Sequence, residues 1–239
     1  MELVSCIMPT GNRQSLIMMA IDCFLRQDYP NKELIVLDDG VSPTSVPSHP
    51  SIRYFREPKS VVGAKRNRCA ELSSGEIIIH FDDDDWSAPN RVSVQVQRLQ
   101  ESGLAFSGFN DLYFYERDGS AVIMDRCGGG AGTTQAYTKK FWESHRFPEV
   151  PCTEDVQFCQ SAQAEGQADL ISGLGLIVVR RHAANVWDML NVLDRRRCTP
   201  VHTCALPQGF LTAMDLHPPA LVGRPPGYKQ FAFGVPALP

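Results

Sequence analysis

The sequence lacks the features of several common protein classes. None of its eight cysteines belongs to a C-x-x-C pair, so neither a zinc knuckle nor a thioredoxin-type redox pair is expected. No apolar run reaches the roughly 18 residues of a membrane span, so no transmembrane segment is predicted. The formal net charge is −4, and this acidic balance gives no reason to expect a nucleic-acid partner, which requires a basic face.

Two further absences concern nucleotide sites and targeting. The chain contains no complete P-loop and no G-x-G-x-x-G after its first apolar run. The N-terminal apolar run is short and lacks a basic leader, so it predicts a first strand and not a signal peptide. Several cysteines lie in apolar settings, where a free thiol behaves as a small hydrophobic group. A reduced, cytoplasmic protein is therefore predicted.

The first hundred residues alternate short apolar runs with segments of helical periodicity. Predicted strands cover 4–8, 33–37, 52–55 and 76–81, and predicted helices cover 14–27, 62–73 and 89–101. This alternation is typical of an α/β, Rossmann-like, mostly parallel central sheet with helices on both faces. In such sheets ligands bind beyond the carboxyl ends of the strands.

After residue 103 the pattern favours a more antiparallel half. Short strands are predicted over 104–107, 112–115 and 121–124, and one or two more over 171–179. Thr153 can cap a helix over 153–165, whose positive N-terminal end suits Glu154 and Asp155. Residues 128–132 read as a flexible glycine-rich loop. Prolines are dense from Thr199, which predicts a tail (199–239) that wraps the surface or is loosely held.

Three polar clusters follow predicted strands, at 9–13, 38–39 and 82–85, and should meet at one edge of the sheet. The last is a run of four aspartates after the apolar stretch Ile77–Phe81. Adjacent carboxylates suit a hard divalent cation that shares its ligands with substrate phosphates. The alternative is a solvated acidic turn, which the arrival of a buried strand at this edge disfavours. An EF-hand is disfavoured, because Ser87 and Ser93 stand where its glycine and glutamate would be.

Five motifs in order resemble glycosyltransferase family 2, over roughly residues 3–182. The motifs are Pro9-Thr10-Gly11-Asn12-Arg13 after the first strand, Glu33–Leu37 followed by Asp38-Asp39-Gly40, Gly63-Ala64-Lys65-Arg66-Asn67 (G-x-x-R-N), Asp82–Asp85 with Pro89 (the D-x-D motif), and Glu154-Asp155 (E-D). The resemblance implies a GT-A fold, a nucleotide-sugar donor such as a UDP-sugar, Mn²⁺ or Mg²⁺, and inversion at the sugar carbon. It places a nucleotide-binding half in about 1–102 and an acceptor half in about 103–198.

The resemblance also implies roles for individual residues. The donor would be bound by Pro9, Thr10, Asn12, Arg13, Asp39, Lys65, Arg66, Asp82 and Asp83. The metal would be held by Asp82, Asp84 and His182. Asp155 would be the general base, with Glu154 beside it in a structural or acceptor-orienting role. The acceptor would be a saccharide, a lipid-linked group or a protein, and a lipid acceptor would bring peripheral membrane association.

Several alternatives stay open at the level of sequence. Lys65 and Arg66 could reach phosphates or clamp nearby carboxylates, and His182 could be a surface histidine beside two arginines. Gly11 stands where the family often has a large residue, and Thr153 where a glycine is common. A nucleotidyltransferase on a related sheet would require a more basic, glycine-rich first loop. A non-catalytic nucleotide- or sugar-binding module would have no use for both Asp84 and Asp155.

Overall fold

The computed structural model describes residues 1–116, 118–125, 131–182 and 198–216 of the chain. The first part alternates strands and helices, as predicted. Its elements are β1 (Val4–Thr10), α1 (Ile17–Leu25), β2 (Lys32–Asp38), β3 (Ile52–Arg56), α2 (Val62–Leu72), β4 (Ile77–His80), the short β5 (Trp86–Ser87) and α3 (Arg91–Ser102).

The second part is built mainly from strands. Its elements are β6 (Phe106–Tyr115), β7 (Ala121–Met124), β8 (Ala136–Thr138), α4 (Lys139–Ser144), α5 (Glu154–Ala164), β9 (Ala168–Ser172), β10 (Ile177–Arg180), β11 (Cys198–Val201) and α6 (Gln208–Leu216), with 3₁₀ turns at Gly132–Thr134 and Thr203–Ala205. The predicted strands 104–107 and 112–115 are one strand, because β6 continues through an irregularity between Phe109 and Asp111.

The strand order is β11-β7-β6-β8-β4-β1-β2-β3. Strands β3, β2, β1 and β4 are parallel neighbours. From β4 outward the pairs β4–β8, β8–β6, β6–β7 and β7–β11 are antiparallel. Strands β9 and β10 run parallel to β6. The predicted α/β architecture, with a parallel first half and a more antiparallel second half, is confirmed.

Successive side chains of the central strands pack alternately into two hydrophobic cores, one on each face of the sheet. In β1, Cys6 and Met8 pack with α1 and α3, whereas Ile7 packs with α2, α4 and α5. The alternation follows from the two-residue period of a strand. Because both faces are covered, a strand here must be apolar at nearly every position, and its first polar groups come where it leaves the sheet.

Thr153 does not cap α5 through its side chain, contrary to the prediction. Its φ of 68° places it in the left-handed region, and no side-chain capping hydrogen bond is formed. Its Oγ1 instead accepts a hydrogen bond from Gln157 Nε2 at 3.3 Å. This backbone conformation favours glycine, which is the residue common at this position in the resemblance described above.

The part of the proline-rich segment that the structure describes is packed against the rest of the chain. Strand β11 pairs with β7, and Phe210 of α6 is buried against Trp86 with ring centroids 6.1 Å apart. Residues 217–239, Cys127 and the glycines 128–130 lie outside the described residues, and the division of the chain at residue 198 stays a prediction. The seven cysteines among the described residues form no disulfide bond with one another.

Among the described residues, no helix is both long enough and apolar enough to cross a membrane.

Candidate active site

The three polar clusters meet at one edge of the sheet, as predicted. Thr10 at the end of β1 pairs in register with Asp38 at the end of β2, and β4 pairs with β1 just before the aspartate run. The Thr10 hydroxyl donates to Asp83 Oδ2 at 2.5 Å. The Asp39 amide donates to the Thr10 carbonyl oxygen at 3.2 Å. Parallel strands thus deliver all three clusters to one site.

Three of the four aspartates, Asp83, Asp84 and Asp85, are buried. Asp83 is buried and also accepts from Arg13 Nη1 at 2.7 Å. Burial and the neighbouring Asp84 raise the pKa of Asp83 to about 6. Asp85 accepts from the backbone N–H of Arg180 at 3.0 Å. Burial, with Asp84 nearby, raises the pKa of Asp85 well above its ordinary value.

Asp84 is in contact with two side chains, whereas Asp82 is partly exposed at the mouth of the site. Asp84 Oδ2 is 2.9 Å from Arg13 Nη1 and 3.0 Å from His182 Nε2. Burial opposes ionisation of Asp84, but the hydrogen bond with His182 and the charge of Arg13 outweigh it and lower its pKa. Asp82 is 26% exposed and lies 3.3 Å from Arg66 Nη1. Two arginines and a histidine thus contact three of the four carboxyl groups of the run.

Asp82, Asp84 and His182 offer donor atoms for a divalent cation. The residues described contain no three His, Cys, Asp or Glu side chains already gathered as a metal shell. Asp84 Oδ2 and His182 Nε2 are nevertheless 3.0 Å apart, and adjacent ligands of an octahedral ion bound at about 2.1 Å would have about that separation. Asp82 adds a second carboxylate at the mouth. The donor types fit an ion that takes its remaining ligands from phosphate and water.

Arg66 joins the aspartate run to helix α5. Its Nη1 is 3.3 Å from Asp82 Oδ1, and its Nε is 3.0 Å from Glu154 Oε1. The side chains of Arg66 and Glu154 are only 5% and 4% exposed. Of the two roles left open for Arg66, the structure shows contact with carboxylates. One arginine therefore holds the two groups of acids at opposite ends of a single guanidinium.

Asp155 lies beside this ion pair at the start of α5. Its Oδ1 accepts from the Val156 N–H at 2.8 Å. Burial raises the pKa of Asp155 to about 6; Arg66 opposes this shift and Glu154 adds to it. A carboxylate with a raised pKa is a stronger base that is still ionised at pH 7.

Gly132 packs closely over Arg66 and Asp155. A Cβ atom placed on Gly132 would come within 2.6 Å of Arg66 Nη2 and 2.8 Å of Asp155 Oδ2. The backbone of this turn therefore approaches the two side chains as only glycine permits. His80 is fully buried, and its Nδ1 lies 2.6 Å from the Gly132 carbonyl oxygen.

Asp39, one of the predicted donor-binding residues, lies in a separate part of the edge. Its Oδ1 is 3.1 Å from Lys65 Nζ, and its Oδ2 accepts from the Ser60 N–H at 3.1 Å. Asn12 has a φ of 60° and accepts from the Val41 N–H through Oδ1 at 2.8 Å, which ties the first loop to the loop after Asp39. Pro9 lies within β1, paired with Leu37. These residues lie on one side of the aspartate run.

Arg91 is a site residue that the sequence did not indicate. It is fully buried in α3, and its Nη2 donates to the carbonyl oxygens of His80 (2.7 Å) and Thr133. It thereby fixes the end of β4 against the turn that carries Gly132. A single arginine on an amphipathic helix carries no local sign of such a role, because the contacts depend on tertiary packing.

The family follows from a match to a known family model. The model described as glycosyl transferase family 2 matches residues 5–145, which is more than half of the chain. The chain belongs to glycosyltransferase family 2. The matched residues include the first, G-x-x-R-N and D-x-D motifs and end before Glu154. The match assigns no role to an individual residue, so the roles of all the predicted site residues remain predictions.

Curated relatives of this family 2 chain come from bacteria. A glycosyl transferase assigned to colanic acid biosynthesis in Escherichia coli (strain K12), WcaA, is 39% identical over 107 residues, which are 41% of this chain and 38% of that protein. The Escherichia coli protein WfgD, named UDP-Glc:alpha-D-GlcNAc-diphosphoundecaprenol beta-1,3-glucosyltransferase, is 31% identical over 111 residues, 44% of each chain. The alignment spans less than half of the length of either relative.

Solved structures agree with the fold. The structure of S. aureus TarS 1-349 in complex with UDP-GlcNAc has a TM-score of 0.61 and 16% identity, covering 77% of this chain and 60% of that one. The mannosyltransferase PcManGT from Pyrobaculum calidifontis, in complex with GDP-Man and Mn²⁺, has a TM-score of 0.59 and 18% identity, covering 75% and 56%. The predicted GT-A fold of this family 2 chain is confirmed.

Proposed function

We propose that the chain is an inverting, metal-dependent glycosyltransferase that moves a sugar from a UDP-sugar to a hydroxyl group of a lipid-linked saccharide. The observation that supports this most is the position of Arg66 between the aspartate run and Glu154-Asp155. A glycosyl transfer of this kind requires charge stabilisation at the leaving group and a base at the acceptor. The aspartate run and Glu154-Asp155 lie at one site, because the guanidinium group of Arg66 contacts both Asp82 and Glu154.

Asp82, Asp84 and His182 would hold the Mn²⁺ or Mg²⁺ ion. A bound ion would offset the negative charge that develops on the diphosphate leaving group. Arg13 keeps Asp84 in place through its 2.9 Å contact. Pro9, Thr10 and Asp39 would form the nucleoside wall, with Asn12 holding the loop beside it.

Asp155 would take the proton of the acceptor hydroxyl. As the acceptor oxygen bonds to the anomeric carbon, the bond from that carbon to the diphosphate breaks on the opposite face, so the configuration inverts. Arg66 would hold Glu154, and with it the start of helix α5, close to the aspartate run through a buried contact of 3.0 Å. In this scheme Glu154 positions the base and takes no proton itself.

The lipid-linked acceptor is proposed from the relatives, because WfgD is named for a diphosphoundecaprenol substrate. Such an acceptor would place the reaction at the cytoplasmic face of a membrane, with the chain bound peripherally. The test is a transfer assay with a panel of UDP-sugars, Mn²⁺ and a diphosphoprenol-linked saccharide, with the product's anomeric configuration read by NMR. A retained configuration, or no transfer from any nucleotide sugar, would contradict the proposal.

The rate of transfer should depend on pH through Asp155. The base is active when ionised, and its pKa is raised to about 6, so kcat should fall about tenfold per pH unit below that value and level off above it. The measurement is kcat at saturating donor between about pH 5 and 8. UDP affinity over the same range is the control, since Asp83 titrates nearby. An acid limb that persists in Asp155→Asn would show that another group causes it.

A further inference from the structure

His80 is the last residue of β4, and each of its backbone and ring polar atoms has a partner. It is fully buried. Its backbone N–H donates to the Gln135 carbonyl oxygen at 2.9 Å, and its own carbonyl oxygen accepts from Arg91 Nη2 at 2.7 Å. Its ring packs against those of Tyr137 and Phe147, with centroid distances of 5.4 and 5.5 Å. The ring is therefore held in one orientation.

Three polar groups contact the two ring nitrogens of His80. Nδ1 lies 2.6 Å from the Gly132 carbonyl oxygen and 2.9 Å from Arg66 Nη1, and Nε2 lies 3.1 Å from the Tyr137 hydroxyl. The carbonyl oxygen is an acceptor and the guanidinium is a donor, so Nδ1 cannot satisfy both. A second proton on the ring would bring a positive charge against Arg66, which disfavours the charged ring. The neutral ring must therefore serve one of these two partners.

The partners indicate which ring nitrogen carries the proton. With the proton on Nδ1, the Gly132 carbonyl oxygen receives a hydrogen bond and the Tyr137 hydroxyl can donate to Nε2. With the proton on Nε2, that carbonyl oxygen would face a lone pair at 2.6 Å, and the buried hydroxyl could no longer donate to the ring. Leaving two buried groups unsatisfied costs more than denying one N–H to Arg66, which retains two carboxylate partners.

The carbonyl group that contacts His80 belongs to the turn beside the proposed base. A Cβ atom on Gly132 would lie 2.8 Å from Asp155 Oδ2, so this turn lies directly against the carboxylate. The same segment meets Asp155 a second time, because Gln135 Nε2 donates to the Asp155 carbonyl oxygen at 2.8 Å. The ring of His80 thus holds Gly132, its backbone holds Gln135, and both of these residues lie against Asp155.

We infer that His80, protonated at Nδ1, is a positioning residue for the transfer reaction. Its Nδ1–H fixes the Gly132 turn against Asp155. Because Nδ1 then offers no lone pair, the nearby Nη1 of Arg66 donates to Asp82 instead. The strand that leads into the aspartate run thereby also sets the position of the base. This inference rests on the proposed function, because it concerns the geometry of the same site.

Two substitutions separate the contributions of the two ring nitrogens. In His80→Asn, the amide nitrogen can take the place of Nδ1 and donate to Gly132, but the side chain is too short to reach Tyr137. In His80→Gln, the amide can reach Tyr137 near the place of Nε2, but no donor remains at the place of Nδ1. Both variants remove a ring from a packed core, so both should lower Tm. Their transfer rates should differ, because only asparagine retains the hydrogen bond to Gly132.

The rates are measured with Mn²⁺, acceptor and the UDP-sugar that is active in the panel assay. His80→Gln should lower kcat by up to about 100-fold, the loss that a misplacement of about 1 Å can cause. His80→Asn should recover most of this loss. UDP affinity, measured by calorimetry, should change little in either variant, because the hydrogen bond that distinguishes them lies beside the base.

Tyr137→Phe is the matched control. It removes the hydrogen bond to Nε2 of the same buried ring and leaves the one between Nδ1 and Gly132. This variant should therefore lower Tm but keep kcat near that of the wild type. A loss of kcat that simply follows the loss of Tm across all three variants would make His80 a structural residue and overturn the inference.

The proton is located by ¹⁵N NMR of the histidine side chains in the wild-type protein without metal or UDP, with His80 assigned as the signal that His80→Asn lacks. Nδ1 should show the shift of a protonated ring nitrogen, and Nε2 that of an unprotonated one. A proton on Nε2 would overturn the inference whether or not any variant folds.

Two kinetic outcomes would also contradict the role of His80 while leaving the proposed function intact. One is an equal kcat in His80→Gln and His80→Asn. The other is a loss of UDP affinity in His80→Gln as large as its loss of kcat, which would assign His80 to the donor side. If the wild-type protein transfers sugar from no nucleotide sugar, the proposed function is wrong and this inference is overturned with it.

Discussion

Replacing Asp155 by asparagine should lower the rate of sugar transfer by about 10²–10⁴-fold, the usual contribution of a general base. The amide keeps the size of the side chain and can still accept from the Val156 N–H, but it cannot take a proton. UDP affinity in Mn²⁺ should change little, because none of the hydrogen bonds of Asp155 described above involves the aspartate run. The measurements are single-turnover transfer rates and UDP calorimetry on the same preparation.

Thermal stability separates this effect from misfolding. Because burial raises the pKa of Asp155 to about 6, the folded state disfavours its ionised form, and this unfavourable contribution is present above that pH and relieved as the pH falls through it. The neutral amide should therefore leave Tm at pH 7 unchanged or raise it. A lower transfer rate without a lower Tm would then reflect the loss of the base and not misfolding.

Glu154→Gln is the matched control on the neighbouring residue. Glu154 is buried and paired with Arg66, so removing its charge leaves a buried arginine with weaker compensation, and breaking a buried pair typically costs about 3–5 kcal/mol of stability. This variant should lower Tm clearly, yet reduce transfer per folded molecule less than Asp155→Asn does. If Asp155→Asn transfers at a near wild-type rate, Glu154 becomes the candidate base. If it also loses UDP binding, Asp155 belongs to the donor site.

The meeting of the three polar clusters at one edge of the sheet could be predicted, because it follows from local sequence patterns. The apolar runs of β1, β2 and β4 each end in polar residues, and parallel strands must bring their carboxyl ends together. The contact between Thr10 and Asp83, 73 positions apart, follows from that topology. The alternation of side chains between two cores follows equally from the period of a strand.

The partners of the charged residues could not be predicted in the same way. Arg66 and Glu154 are 88 positions apart, and Asp84 and His182 are 98 apart. Such pairs depend on how the second half packs against the first, which no local pattern encodes. For the same reason, four adjacent aspartates look alike in sequence, whereas burial raises the pKa of Asp85, and the hydrogen bond with His182 and the charge of Arg13 lower the pKa of Asp84.

The left-handed conformation of Thr153 was missed because threonine rarely adopts it and is a common N-cap residue. Local preference therefore indicated an ordinary capped helix. The observed φ of 68° directs the chain into α5 so that Glu154 meets Arg66. Here tertiary packing has overridden the preference of the residue.

Replacing Asp84 by asparagine should remove most of the effect of Mn²⁺ on UDP binding. In the wild-type protein, excess chelator should weaken UDP binding strongly, because the diphosphate then faces Asp82 and Asp84 without a cation between them. In Asp84→Asn, UDP affinity in Mn²⁺ should fall by about 100-fold or more, since even residues that only support metal ligands contribute about 10–100-fold. In chelator, the variant should bind UDP no worse than the wild type, because one negative charge has gone.

Asp85→Asn is the control for this experiment. Asp85 adjoins Asp84 in the chain, but it is buried, its pKa is raised well above its ordinary value by that burial, and it accepts a hydrogen bond from the Arg180 N–H at 3.0 Å. An amide of the same shape preserves that contact, so the Mn²⁺ dependence should match that of the wild type. The Mn²⁺ dependence of UDP affinity in His182→Ala should lie between those of Asp84→Asn and Asp85→Asn, because this substitution removes one proposed ligand and leaves both carboxylates. Wild-type UDP affinity that is unchanged in excess chelator would show that the aspartate run holds no ion for the donor, and the cluster would then be a structural element neutralised by Arg13, Arg66 and its own burial.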